Sequence, residues 1–142
     1  MKIIKFRGKD LDDGEWVYGC VFIALTGKYY IFEPDITSAS DHDFCETEVD
    51  PETVGQFTGA YDIKGNEIYE GDIVSWLCTF NDCGMLEVGK IEYKREETQF
   101  IIVNRFSTKD HRESICTIQN RRDLIVRGNI YDNPGIMKGE KE

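Results

Sequence analysis

The stretch Val49–Val74, VDPETVGQFTGAYDIKGNEIYEGDIV, decides how this chain is read. Its 26 residues hold one proline, four glycines, six carboxylates and three aromatic residues, with no cysteine and no histidine. Six acids, Asp50, Glu52, Asp62, Glu67, Glu70 and Asp72, are enough to bind a hard cation or to form an acid–base pair. No histidine, serine or lysine stands beside them in nucleophile-like spacing, and the regular oxygen positions of a calcium loop are missing. The same letters are what tight turns require. Asp50 can cap a helix-like turn beginning at Pro51. Gly55 and Gly59 allow sharp bends. Asp62 opens a hairpin turn in which Gly65 and Asn66 take positive φ. Glu70-Gly71-Asp72 turns the chain ahead of a strand beginning IVSW, with Asp72 accepting hydrogen bonds from loop amides. Tyr61 and Tyr69 flank the hairpin and can pack their rings across it. The stretch therefore reads as architecture, and no catalytic residue, cofactor or metal is assigned to it.

Outward from this stretch, strand signals dominate and helical periodicity is weak. KIIKFRG reads as a short strand ending at Gly8. A turn at Asp13-Gly14 follows, then a strand from Glu15 to Leu25, a tight turn at TGK, and a returning strand YYIFE. In the second of these strands Trp16, Tyr18, Cys20 and Phe22 share one face, and Val17, Val21 and Ile23 the other. A strand apolar on both sides is either buried twice or lies at an interface. Trp16, Tyr18 and Phe22 are the candidate protein interface. Residues 34–47 are polar without alternation and read as a long loop. After Ile68, five short strands at spacings of about 10 residues, with a bulge at Gly89, suggest a small curved barrel. EGDIV resembles the first strand of SH3-like barrels. The expected fold is mainly β with minor α: a meander and acidic loop over 1–48, a connecting turn over 49–58, an SH3-like barrel over 59–134, and a frayed charged tail over 135–142.

Composition bounds the function. Apolar residues make up 40% of the chain, enough for a core. No apolar run reaches the length of a membrane-spanning helix, which is about 18 residues or more. The basic start turns acidic too soon for a signal peptide. A cytoplasmic protein is expected, with its five cysteines as free thiols. Cys78 and Cys83 lack a spaced pair of partners for zinc, since His42 and His111 are the only histidines. Neither histidine sits in a pattern that points to catalysis.

The net charge of −10 is uneven. Residues 10–87 carry −16 and residues 88–127 carry +3. The acidic part opposes nucleic acid and anionic membrane. Arg105, Lys109, Arg112, Arg121 and Arg122, with Arg127, Phe106 and Tyr93, form the alternative: a basic, ring-bearing face able to take nucleic acid. A further alternative is an acidic mimic that occupies a DNA-binding protein. The split charge itself favours heterologous contacts, so self-association or a different protein partner is expected.

KFRGK, GEWVYG, the stretch 49–74 and finally GNIYDNP resemble, in that order, the YopX family of phage and prophage proteins. The resemblance spans both ends and the middle of the chain. It implies a phage or prophage origin, residence in the host bacterium and a phage or host protein as the partner, and it brings no known activity and no catalytic residues. Segments 34–48, 77–87 and 107–122 hold no shared motif. Within GNIYDNP, Gly128 permits a bend, Tyr131 docks back on the core beside Ile130, and Pro134 ends the strand pairing. The expected role is a non-enzymatic accessory protein that binds other chains or assembles with itself.

Overall fold

A computed structural model describes residues 2–35, 37–40, 43–80, 83–105, 115–117 and 122–139. The chain divides into two compact units, Met1–Phe57 and Thr58–Glu142.

The first unit is built from β1 (Phe6–Lys9), β2 (Trp16–Ile23), β3 (Tyr29–Pro34), β4 (Phe44–Val49), a 3₁₀ turn (Pro51–Thr53) and the start of β5 (Gly55–Tyr61). Its strands lie antiparallel in the order β4-β3-β2-β1-β5. Polar turns set the hairpins: the Gly14 amide donates to the Asp10 carbonyl, and the Gly27 amide to that of Ala24. β2 serves two partners, with Trp16–Gly19 paired to β1 and Cys20–Ile23 paired to β3. The switch falls between Gly19 and Cys20. Just before it the Tyr18 amide donates to Glu33 Oε1 at 2.8 Å. A Cβ on Gly19 would lie 2.0 Å from the Phe32 carbonyl oxygen, so only glycine allows this approach. A single bridge, Asp10 to Val49, links the end of β1 to the end of β4, and the sheet curls without closing. Ile31, Val49 and Phe57 are buried in this unit. Thr53 is buried with them, its hydroxyl accepting from the Lys9 amide and donating to the Asp50 carbonyl.

β5 carries the chain into the second unit, where its later residues pair with β6 (Glu67–Tyr69). β7 (Asp72–Phe80), β8 (Cys83–Lys94), β9 (Gln99–Asn104), β10 (Ile115–Thr117) and β11 (Ile125–Asn129) follow, then a short helix α1 (Pro134–Met137). Five of these strands form an antiparallel sheet in the order β10-β9-β8-β7-β11. Neighbours on a strand point to opposite faces, so the apolar run IVSW serves both. Val74 and Trp76 join Ile68, Ile91, Ile102 and Leu124 in one buried cluster. Ile73 joins Val88 and Ile136 in another. Burying such aliphatic side chains stabilises by about 1.5–3 kcal/mol each.

Four expectations change. The SH3-like barrel expected over 59–134 is not confirmed: among the described residues no sheet closes, and β10 and β11 are the edges of an open sheet. Ile68 of β6 and Ile136 of α1 cover its apolar residues, so burial does not require the edges to meet. The loop expected over 34–47 contains the first four of the six residues of β4. FCETEV does alternate, but its acids hide a strand from propensity. The tail expected from 135 begins as α1, held by Ile136. The bulge foreseen at Gly89 falls instead between Val126 and Gly128, while Gly89 pairs in register with Val74.

Candidate functional site

The three aspartates of the signature stretch accept from amides of their own turns. Asp50 caps the 3₁₀ turn, accepting from the Glu52 amide at 3.0 Å. Asp62 accepts from the amides of Lys64, Asn66 and Val126 and from the Asn66 side chain, at 2.8–3.1 Å. Burial pushes the Asp62 carboxyl up, but these hydrogen bonds outweigh it and hold the group below its ordinary 3.8. Asp72, almost fully buried, accepts from the Tyr69 amide at 2.8 Å. Tyr69 is buried and its hydroxyl donates to Glu67, whereas Tyr61 is exposed. Gly59, Gly65 and Gly71 adopt positive φ as turns demand. Gly55 instead lies in extended strand opposite Arg7, and Asn66 does not adopt positive φ.

GNIYDNP packs onto EGD. Asn129 pairs with Asp72 and Gly128 with Ile73. The Ile130 amide donates to the Gly71 carbonyl at 2.9 Å. A Cβ on Gly71 would meet the Tyr131 ring at 3.0 Å. Asn129 Oδ1 accepts from the amides of Tyr131 and Asp132, and Asn133 accepts from the Asn129 amide. Gly128 has φ +155° and a Cβ there would fall 2.3 Å from Asn133 Oδ1. Pro134 opens α1 rather than merely ending a pairing. The two motifs most legible in the sequence thus build one polar corner of the second unit.

The first unit presents a different surface. A groove of about 590 Å³ lies along one side of its sheet. Tyr18 and Cys20 of β2, Phe32 and Pro34 of β3, and Phe44 of β4 line it. Ile3 and Ile4, ahead of β1, complete the wall, and Lys5 is the one charged residue in the lining. Strand register explains the gathering. Cys20 stands opposite Phe32, and Pro34 opposite Phe44, so these side chains meet on one face. Ile3, Ile4 and Phe44 are 54%, 62% and 61% exposed, unusual for large apolar side chains collected in one place.

The three predicted interface residues divide. Tyr18 lines the groove. Phe22 is exposed farther along the same face, its ring edge-on to Phe32 at 6.2 Å. Trp16 is half-buried, with the Arg7 guanidinium 4.4 Å and the Lys9 ammonium 5.4 Å from its ring centre. Trp16 therefore holds β1 to β2. Sequence reasoning missed Ile3, Ile4, Phe32, Pro34 and Phe44. The Phe44-Glu46-Glu48 alternation against Cys45-Thr47-Val49 was the available signal.

Of the basic candidates, Arg105 is half-buried, with its amide donating to the Val88 carbonyl, and Arg122 is exposed. Arg127 is half-buried and donates to the Ser75 hydroxyl at 2.8 Å. Lys109, Arg112 and Arg121 lie outside the described residues, as do Phe106, His42 and His111. Tyr93 is partly exposed and stacks edge-on with Phe100 at 5.2 Å. Cys20 and Cys45 are free and exposed. No cluster of three acids, cysteines or histidines able to hold a metal occurs among the described residues. No helix among them is long and apolar enough to cross a membrane.

Comparison with known proteins gives fold and family. The model of the YopX protein family matches residues 5–138. The crystal structure of protein EF1440 from Enterococcus faecalis is similar at 20% identity and a TM-score of 0.54, covering 96% of this chain and 99% of that one. That likeness is one of fold alone. No curated protein matches.

Proposed function

The chain belongs to the YopX family, and from that premise we propose that it is a non-enzymatic accessory protein which acts by binding other protein chains. The groove of the first unit is the docking surface. We place the protein in a phage or prophage and its work in the cytoplasm of the host bacterium, where self-association is the simplest form of such binding. The observation that carries this reading is the gathering of Ile3, Ile4, Tyr18, Phe32 and Phe44 on one open face. Exposed apolar patches of this kind mark interaction sites. The carboxylates that suggested chemistry support it from the other side, since Asp50, Asp62 and Asp72 bind amides of their own turns.

A photo-reactive amino acid placed at Phe44, in host cells, tests it. Leu25 is more open to solvent than Phe44 but does not line the groove, and so provides the control. Protein adducts at Phe44 and not at Leu25 are expected, with an adduct of twice the chain's mass reporting self-association. Equal labelling from both positions, or none from either, removes the reading.

A further inference from the structure

We infer that the outer edge of β4 pairs with the same edge of a second copy of this chain, antiparallel across a two-fold axis, with Cys45 facing the partner's Cys45. This rests on the reading of the protein as one that binds other chains, and it names the partner and the contact.

β4 is an end strand of its sheet, and its register fixes which groups face outward. The Asp35 amide donates to the Asp43 carbonyl. Asp43, and by alternation Cys45 and Thr47, therefore turn their amides and carbonyls toward β3. Phe44, Glu46 and Glu48 turn theirs away. Pro34 fits this order, since it stands opposite Phe44 and has no amide to give. At the far end the outward side is covered. The Leu11 amide donates to the Glu48 carbonyl and the Asp50 amide to the Lys9 carbonyl, around the Asp10–Val49 bridge. Phe44 and Glu46 remain. Among the described residues nothing pairs with their outward amides and carbonyls, and both are exposed, as is Cys45. Such an edge is a template for another strand, and no proline, lysine or bulge interrupts it between Phe44 and Thr47.

Three antiparallel registers set this edge against itself. Glu46 on the partner's Glu46 opposes two carboxylates and brings Phe44 to the partner's Glu48, whose carbonyl is taken. Phe44 on the partner's Phe44 carries Glu46 past the partner's strand, which begins at Phe44. Phe44 on the partner's Glu46, and the reverse, uses every outward amide and carbonyl of the open stretch and opposes no like charges directly. This self-complementarity selects a second copy: the two open residues are separated by one, as a two-fold axis requires for both bonded pairs to form around a central pair. The central pair is Cys45 and the partner's Cys45. Its Cα atoms would stand about 4.5 Å apart, inside the span of about 4.4–6.8 Å that a disulfide bridges. Phe44 and the partner's Phe44 fall on a diagonal of the groove face, within the reach of aromatic side chains. The net charge of −10 on each chain opposes the contact, so salt should favour it.

Sedimentation in reductant should show a monomer–dimer equilibrium that shifts toward dimer as salt rises. Glu46→Pro removes an outward amide and spares the β3 ladder, so it should weaken the dimer by about tenfold or more. An unchanged circular dichroism spectrum of the dilute variant keeps that result interpretable. Should the variant not fold, hydrogen exchange of the wild type by NMR decides: the Phe44 and Glu46 amides should slow with protein concentration, and those of Cys45 and Thr47 should not. Copper–phenanthroline oxidation should join two chains, with mass spectrometry finding Cys45 linked to Cys45. Cys45→Ser should abolish the covalent dimer and leave the sedimenting one. A monomer at every concentration and salt overturns the inference. So does a dimer linked only through other cysteines, or one in which the Phe44 and Glu46 amides exchange independently of concentration. Photo-adducts at Phe44 with the mass of a different protein, beside a chain that stays monomeric, overturn the self-pairing and leave the docking reading standing.

Discussion

The polar corner of the second unit and the groove of the first use their residues in opposite ways. In the corner, Asp62, Asp72, Asn129 and Asn133 direct their oxygens at backbone amides of neighbouring turns, and Gly71 and Gly128 let Tyr131 and Asn133 approach. In the groove, Ile3, Ile4 and Phe44 are more than half exposed. Apolar surface left in water is the part of a molecule that gains by meeting another. The most distinctive letters of a sequence can thus mark its scaffold, while the surface proposed here for docking lies among ordinary ones.

Substitutions can break this contrast. The largest effect belongs to the core beneath the corner. Ile102→Ala should cost about 3–4 kcal/mol, read as a lower urea midpoint, because Ile102 is fully enclosed by Trp76, Ile91 and their neighbours. Next comes Asp72→Ala, which strips the buried Tyr69 amide of its acceptor and should cost about 2 kcal/mol by the same measurement. A cost near zero would mean that the corner is not structural.

A smaller effect is expected from acid. Hydrogen bonds hold the Asp62 carboxyl below its ordinary 3.8 in the folded protein. Its stabilisation is therefore complete above the unfolded value and lost as pH falls through the folded one. Between about pH 6 and about pH 3 the wild type should lose stability more steeply than Asp62→Asn, by an amount on the order of 1 kcal/mol. Parallel profiles would remove Asp62 from the account. The smallest change in stability belongs to the groove: Phe44→Ser should stay within about 0.5 kcal/mol of wild type, as surface substitutions do. It should nevertheless reduce binding of a dye that fluoresces on apolar surface. A large loss of stability there would make Phe44 part of a core and sharpen the contrast in the other direction.

Much of the corner was legible because turn chemistry is local. Asp62 before Gly65 and Gly71 before Asp72 each act within a few residues, as Asp50 before Pro51 does in the first unit. Tyr18 and Phe22 were legible too, since alternation along β2 puts them on one face. The groove as a whole was not. Phe44 sat in a segment read as loop, because glutamates interrupt its β-forming residues. Ile3 and Ile4 were taken into the first strand, whereas β1 begins at Phe6. Trp16 was read as surface although two cations from β1 lie over its ring, a relation set by the pairing of Lys9 with Trp16.

The sequence by itself determined the β character, the family, the hairpin turns and the structural use of the signature acids, because each depends on propensities and hydrogen bonds among near neighbours. Tertiary structure alone decided that the downstream strands form an open sheet, that GNIYDNP seats on EGD, and that Phe32, Pro34 and Phe44 meet Tyr18 in a groove. These depend on which strand lies beside which and in what register. Such pairings are long-range, and their energy comes from burial that no local stretch can report.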